Sequence, residues 1–327
     1  MAKYSNVSSI PLSVAVWLAA SHYDYSERPE KALSATDLNK SIRQYILSHR
    51  ASATGDVTAV DISGTIKSKF GSAIHEGIEM SWTDKEKRDA ALRDLGYPQR
   101  IIDRIVVNPD TVGMDDIPIY MEIRDSITID GWTISGKFDS VFDGVLEDFK
   151  STSTFSYGTV NDWKYISQGS IYKLIHKEII TADHMNIIWL FTDWSPAKAV
   201  KDKTYPNNSI MAHRLDLMSD VETTQMIRDF IHAIEANWDK PEEELPDCGE
   251  KYLWRNDPAF KVYKDASAKR AMSGGTFDNF YSASAFQAQK GGVIKTIHSE
   301  PKACKWCAAA HLCSQRKRFV AEGVLKQ

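Results

Sequence analysis

The chain has 327 residues, a hydrophobic share of 43% and a formal net charge of -4, so it can bury a substantial core and has the composition of an ordered globular protein. The mild acidity excludes a protein that meets a polyanion by overall charge, but it is compatible with a local basic groove beside acidic metal ligands. The most apolar early segment, 11–20, is too short to span a bilayer, and the start lacks the charged and apolar regions of a signal peptide, so a cytoplasmic protein with no membrane partner is expected.

In chain order, an apolar segment over 10–20 precedes a polar stretch over 24–29. The run from Ser34 to Leu38 reads as a helix start, and Ile42, Tyr45 and Ile46 at helical spacing extend it, placing a helix over 36–49. Its Arg43, His49 and Arg50 could touch phosphate, although a solvated face is the plainer role. After a Gly/Thr/Asp-rich connection, residues 66–82 read as a second helix, on which His75 and Glu79 are four apart and share a face.

From 117 to 152 the pattern changes to short alternating strands. Asp130-Gly131 and Asp143-Gly144 are dipeptides that tolerate positive φ and so mark two-residue turns, giving a meander of three strands over 117–128, 132–142 and 145–151. Glu122, on the first strand, could approach an acidic face formed by the other two. The second turn fixes a register: Phe142 faces Val145, Val141 faces Leu146, and Asp139 faces Asp148. Opposed carboxylates, with Cβ atoms about 5 Å apart, repel unless a cation sits between them or one takes a proton. Mg²⁺ or Mn²⁺ is the natural occupant, with oxygen ligands and open positions for water and phosphate. Lys150 lands on the same face, where it could stabilise charge developing at phosphorus. The plainer alternative is a surface hairpin with solvated acids.

Next comes a helix over 159–179 with Ile166, Ile171, Leu174 and Ile175 as its core stripe, and with Gln168 and Tyr172 on another face. Strands over 185–192 and 211–218 and a helix over 221–238 follow. Pro241, Pro246 and three consecutive glutamates mark a boundary, dividing the chain into a domain over 1–240 and a C-terminal segment over 241–327 packed on it. Strands flanked by helices imply an α/β fold with a mixed sheet.

The four cysteines, Cys248, Cys304, Cys307 and Cys313, lie in the last quarter of the chain, three of them spaced C-x2-C-x5-C. In a reducing compartment this clustering argues for metal rather than disulfides. Four thiolates can hold a tetrahedral Zn²⁺ or a [4Fe–4S] cluster. A compact triplet with one distant partner leans toward iron–sulfur, while His311 inside the triplet keeps a Cys3His zinc site open. Either would staple a segment poor in apolar residues. Lys305, Trp306, Arg316, Lys317 and Arg318 could hold a nucleic-acid backbone and stack on bases.

Taken together, these residues resemble the PD-(D/E)xK nuclease superfamily, in its RecB-type branch. Gly71-x3-His75-x3-Glu79 is similar to the helical motif whose His is a metal ligand. Gly136-Lys-Phe-Asp139 resembles the G-x-x-D motif, and Asp148-Phe-Lys150 the D/E-x-K element. Gln168-x3-Tyr172 resembles the Q-x3-Y motif of the following helix, which contacts DNA, and the terminal cysteines resemble the iron–sulfur staple of some members. The residue before Asp139 is Phe rather than Pro, and all four cysteines follow the nuclease motifs. The resemblance implies a restriction-endonuclease-like mixed β-sheet flanked by helices with a metal-stapled C-terminal segment. It also implies a metal-dependent deoxyribonuclease, an exonuclease on DNA ends or single strands, similar to short phage-type exonucleases of recombination and working in the cytoplasm of a bacterial host. His75, Asp139, Asp148 and the Phe149 carbonyl would hold one or two Mg²⁺ or Mn²⁺ ions. Lys150 would be catalytic, Glu79 would orient His75 or a metal-bound water, and Gln168 and Tyr172 would hold the DNA strand. The rival is an inactive DNA-binding or assembly protein that keeps the fold and the metal staple.

Overall fold

Both Asp-Gly turns form as their chemistry dictates. Asp130 and Gly131 take φ of 48° and 77°, and Asp143 and Gly144 take 48° and 75°, the left-handed pairing of a two-residue hairpin turn. The computed structural model describes residues 4–20, 30–54, 60–157 and 162–326; the polar stretch over 24–29 and residue 159, where a helix was expected to start, lie outside them.

In chain order the first elements are β1 Tyr4–Ser5, α1 Leu12–Ala19, β2 Ala32–Ser34, α2 Ile42–Thr54, β3 Val60–Asp61, α3 Ile66–Thr83, α4 Lys85–Asp94 and α5 Gln99–Ile102. Then come β4 Ile105–Val107, β5 Ile117–Met121, β6 Arg124–Ile129, β7 Trp132–Lys137, β8 Ser140–Phe142, β9 Val145–Thr152, α6 Trp163–Ile175, β10 His184–Phe191, α7 Pro196–Lys201 and β11 Ile210–Asp216. The chain ends with α8 Asp220–Glu235, α9 Glu250–Leu253, β12 Ala259–Tyr263, β13 Ala271–Phe277, α10 Phe280–Lys290, β14 Val293–Ile297 and α11 Ser314–Ala321. Two compact units share these elements: Met1–Asn39 with Thr58–His232, and Lys40–Val57 with Ala233–Gln327. Where the linear reading placed all of 1–240 in one domain, α2 falls with the C-terminal residues.

The first unit is built on a six-stranded mixed sheet, in the order β11-β10-β9-β8-β5-β4, and a three-stranded one, β2-β7-β6. Strands β9 and β10 run parallel, as do β4 and β5, while the inner pairs β5/β8 and β8/β9 are antiparallel. Ile187, Leu146, Val141 and Ile171 are fully buried between the larger sheet and its helices. Helix α3 packs on β9 and β5, and α6 packs on β7 and β6. No described residue of α3 is fully buried, so this helix keeps a polar face toward open space.

The expected three-strand meander becomes five strands in two sheets. The strand expected over 132–142 divides at Phe138-Asp139: β7 belongs to the smaller sheet and β8 to the larger. Its partner divides at Glu122-Ile123 in the same way, with Glu122 at φ 54°, a left-handed conformation that costs a non-glycine residue about 1–2 kcal/mol. The two breaks are cross-braced by Glu122 N–H donating to Asp139 O at 2.9 Å and Phe138 N–H to Ile123 O at 3.3 Å. Alternation in sequence cannot distinguish one long strand from two that part into different sheets. Phe138 fills the junction, fully buried and edge-on to His176 with ring centroids 4.8 Å apart.

The second unit contains α2, the short helices α9 and α11, and a three-stranded sheet in the order β13-β12-β14 with α10 packed on it. The helix expected over 36–49 starts later, at Ile42. Asp37 instead accepts from Ser34 N–H at 2.9 Å, closing a short turn, and Ser41 Oγ accepts from Gln44 N–H at 3.1 Å as the cap of α2. Arg43 is 1% exposed rather than solvated: it pairs with Glu242 and donates to the carbonyls of Glu242, Leu245 and Pro246. Those bonds consume its guanidinium, so it is not available to phosphate. Arg50 likewise donates to the carbonyls of Trp238 and Lys240.

Candidate metal centre

The hairpin register holds: Phe142 pairs with Val145, Val141 with Leu146 and Ser140 with Glu147. Asp139, one residue beyond the last pair, has left the ladder, and its Oδ2 accepts from Phe149 N–H at 2.8 Å. Its Oδ1 lies 3.4 Å from His75 Nδ1, and Glu122 Oε1 lies 3.7 Å from the same nitrogen. Among the described residues, His75, Glu122 and Asp139 form the one set of three His, Cys, Asp or Glu ligand atoms that lie within 4.8 Å of one another. Three chain segments deliver them: α3 carries His75, and the two strand breaks carry Glu122 and Asp139.

The far nitrogen of the ring, Nε2, is 2.9 Å from Phe149 O. In this arrangement the Phe149 carbonyl fixes the ring and leaves Nδ1 turned toward the two carboxylates. Asp148, 3% exposed, forms an ion pair with Lys150. Glu122 in turn pairs with Lys137, so each acid that the hairpin crowds has a cation beside it.

The electrostatics follow from burial set against these neighbours. Burial alone would lower the His75 pKa, but hydrogen bonds to Asp139 and Glu122 outweigh it and push the value up to about 10. Burial would raise Asp139, yet the bond to His75 and the charge of Lys150 hold it below the usual range. For Asp148 burial prevails over Lys150, and the repulsion of Asp139 adds to it, so this carboxyl is raised. Lys150 is raised because Asp148 and Asp139 outweigh the penalty of its burial. A protonated imidazole and the ammoniums of Lys150 and Lys137 thus balance Asp139, Asp148 and Glu122, and a divalent cation would take over part of this role by displacing the imidazole proton. The donor set, carboxylate oxygens with one imidazole, suits Mg²⁺ or Mn²⁺.

These groups open onto a cleft of about 710 Å³ in the first unit, lined also by Glu79, Gln168 and Tyr172 and by the cations Lys69, Arg124 and Lys137. Gln168 Nε2 donates to Tyr172 Oη at 2.7 Å. The Tyr172 ring lies flat against strand β7 where Gly136 leaves room: a Cβ there would stand 2.6 Å from Tyr172 Cδ1. The structure therefore brings His75, Glu79, Asp139, Asp148, Lys150, Gln168 and Tyr172 to one cleft. It adds Lys137 to the cleft wall and sets Tyr165 beside Lys150, neither of which the sequence reading singled out. Tyr165 lies on the same face of α6 as Gln168 and Tyr172, a signal present in their spacing of three and seven. Its ring is 4.7 Å from Lys164 Nζ and 6.0 Å from Lys150 Nζ, and burial pushes its hydroxyl up to about 12.

No protein-family model and no curated protein matches the chain. The crystal structure of SSO0001 is similar over 64% of this chain and 78% of its own, at 14% identity and a TM-score of 0.37, a likeness too distant to bear on fold or function.

In the second unit all four cysteines are free thiols. Gln315 grips the Cys248 backbone from both sides, accepting from its N–H at 2.8 Å and donating to its carbonyl at 3.1 Å. That ties Cys248 to the helix that begins immediately after Cys313. Ser41 Oγ lies 2.9 Å from Cys248 Sγ, and Arg43 Nη1 donates to Cys313 Sγ at 3.8 Å. Burial, then the charges of Cys248, Cys313 and Cys307, push the Cys304 thiol up to about 11. The four sulfurs thus sense one another electrostatically, although no three of them lie within 4.8 Å. No helix among the described residues is long and apolar enough to cross a membrane.

Proposed function

We propose that the chain is a metal-dependent deoxyribonuclease of the PD-(D/E)xK type, an exonuclease acting on DNA ends or single strands, with a restriction-endonuclease-like first unit. The observation that carries this is the convergence, in one cleft, of His75 from α3, Asp139, Asp148 and Lys150 from one hairpin, and Gln168 and Tyr172 from α6. These residues span almost a hundred positions of sequence, and solvated surface acids would have no reason to bury Asp148 against a half-buried lysine there.

His75, Asp139 and Glu122 would hold Mg²⁺ or Mn²⁺, with Asp148 available for a second ion. A bound divalent ion supplies neutralisation of the phosphate and activation of a water. Lys150, raised and therefore charged, stabilises the negative charge that builds on the phosphoryl oxygens. The Phe149 carbonyl holds the far ring nitrogen of His75, 2.9 Å away, as the outer partner of a metal-bound histidine does, and leaves Nδ1 for the ion. Glu79, on the cleft wall one helical turn beyond His75, orients water. Lys69, Arg124 and Lys137 offer charge to the phosphates of the strand, and Gln168 and Tyr172 set its register.

The cysteines are read as ligands of a [4Fe–4S] cluster. The compact C-x2-C-x5-C triplet with one distant partner favours the cluster over a tetrahedral zinc site. Anaerobic purification separates the two: a brown protein with iron and sulfide supports the cluster, and a colourless one with equimolar zinc refutes it.

End-labelled linear single-stranded and duplex DNA and closed circular DNA, each incubated with Mg²⁺ or Mn²⁺, test the activity. Degradation of linear DNA that is lost in Asp148→Ala and Lys150→Ala supports the assignment. Wild-type turnover in either variant overturns it, and binding without turnover in the native protein would favour the inactive DNA-binding reading.

A further inference from the structure

The segment between Cys248 and the cysteine triplet contains a small sheet with one covered and one open face. Phe260, Val262, Phe277 and Ile294 face α10: Val262 is fully buried, and the rings of Phe260 and Phe277 meet those of Phe280 and Phe286 at 5.7 and 5.4 Å. The opposite face carries Lys261 and Tyr263 on the central strand, with Lys295 and Val293 opposite them on β14. Helix α10 packs on all three strands of the sheet, while Val293 and Ile297 on the opposite face are exposed.

Two features of the open face need an explanation. Lys261 is paired directly with Lys295, and like charges placed opposite one another across an antiparallel ladder destabilise it. Lys295 Nζ donates to the Ala266 carbonyl at 2.7 Å and lies within reach of the charge of Asp265, whose carboxylate is bonded to Ser267 and the N–H of Ala268, whereas Lys261 has no acid paired with it among the described residues. Next to them Tyr263 has Lys295 Nζ 4.5 Å above its ring. Between Ala259 and Ile297 the chain has six Lys and Arg against two Asp, in a protein whose formal net charge is -4. Opposed lysines are relieved by a polyanion, and an aromatic ring flanked by cations on an open sheet is a platform on which bases stack.

We propose that the open face of the β13-β12-β14 sheet binds single-stranded polynucleotide, with a base on Tyr263 and phosphates on Lys261 and Lys295. The surface is a second binding site, away from the metal centre in sequence and in a different unit. The choice of DNA as ligand rests on the nuclease reading, whereas the chemistry of the face stands by itself.

The test uses the full chain in EDTA, so that no cleavage occurs, with fluorescent oligothymidylate and oligouridylate as probes and polyglutamate as competitor. Tyr263→Leu keeps the bulk and loses the ring, and weakens binding about tenfold, whereas Tyr263→Phe stays within about twofold of the native protein. The Lys261→Ala/Lys295→Ala double variant lowers the slope of log affinity against log salt by about 1.4. Equal affinity for Tyr263→Leu and the native protein, an unchanged slope, or displacement by polyglutamate as effective as by DNA overturns the proposal. The two probes distinguish DNA from RNA. Hydrolysis of bis(p-nitrophenyl) phosphate by the native protein with Mn²⁺ is measured alongside: its absence refutes the nuclease reading and leaves the sheet proposal to the binding data.

Discussion

Replacing Gly136 by alanine tests whether the cleft is built as described. A Cβ at this position would lie 2.6 and 2.8 Å from two Tyr172 ring carbons and 3.2 Å from Ile175 Cδ1. Ordinary carbon contacts are about 3.5–4.0 Å, so the ring must recede by about 1 Å. Tyr172 is 5% exposed, so most of its ring is packed against neighbours even where it meets the cleft. Overpacking of this kind costs about 1–3 kcal/mol, and removing a strand glycine returns about 0.5–1 kcal/mol, leaving about 1 kcal/mol of destabilisation at the middle of those ranges and at most about 2.5 kcal/mol. For a unit of this size the melting temperature should fall by roughly 2–8 °C. Because Tyr172 Oη accepts the Gln168 bond, displacement of the ring also moves the pair that holds the DNA strand, and hydrolysis of linear DNA should fall with stability. The assay is thermal unfolding followed by circular dichroism, on Gly136→Ala in the native and Tyr172→Leu backgrounds. If the clash is with the ring, the cost of Gly136→Ala shrinks by about 1 kcal/mol when the ring is gone. An unchanged melting temperature, or an equal cost in both backgrounds, would refute the reasoning.

Lys150→Ala should lower turnover on linear DNA by about 10²–10³ while the protein stays folded, the usual loss when one group stabilising the transition state is removed. Glu122→Gln should raise the Mn²⁺ concentration needed for half-maximal activity by about tenfold or more, whereas a glutamate that only pairs with Lys137 would leave it unchanged. In metal-free protein His75 is raised from 6.5 to about 10; its contribution to stability is therefore present below pH 6.5 and is lost as pH rises through about 10. Metal must displace that proton, so divalent-ion affinity should rise about tenfold per pH unit between about pH 7 and about pH 9. Calorimetry in buffers of different ionisation enthalpy would count the released proton, and none released would contradict the assignment of His75. In the second unit, Arg43→Ala leaves Glu242 on its Ser314 bonds alone and takes a donor from the carbonyls of Leu245 and Pro246, which should cost about 1–3 kcal/mol, read as a lower urea midpoint for the full chain.

Short-range chemistry was legible in the residues alone. The Asp-Gly turns, the register that aligns Asp139 with the start of Asp148-Phe-Lys150, and the placing of His75 and Glu79 on one helical face all follow from local φ preference and from periods of two and 3.6. What was not legible involved partners distant in sequence. Arg43 reads as a surface helix cation until the carbonyls of Leu245 and Pro246 close around it, some two hundred residues later. Glu122 could be suspected of nearing the acidic face, but its entry into the cluster depends on a strand break that alternation cannot reveal.

Sequence by itself determined the Asp-Gly hairpin, the helices that carry His75 and Gln168, and the inventory of acids, histidine and lysine, because turn preference, amphipathic period and charge are properties of neighbouring residues. Only the tertiary structure decided that two strands part between two sheets at Glu122 and Asp139, that both acids reach His75 Nδ1 there, and that α2 folds with the C-terminal residues. Those outcomes depend on which apolar surfaces bury one another across the chain, and burial is the property a linear reading cannot assign.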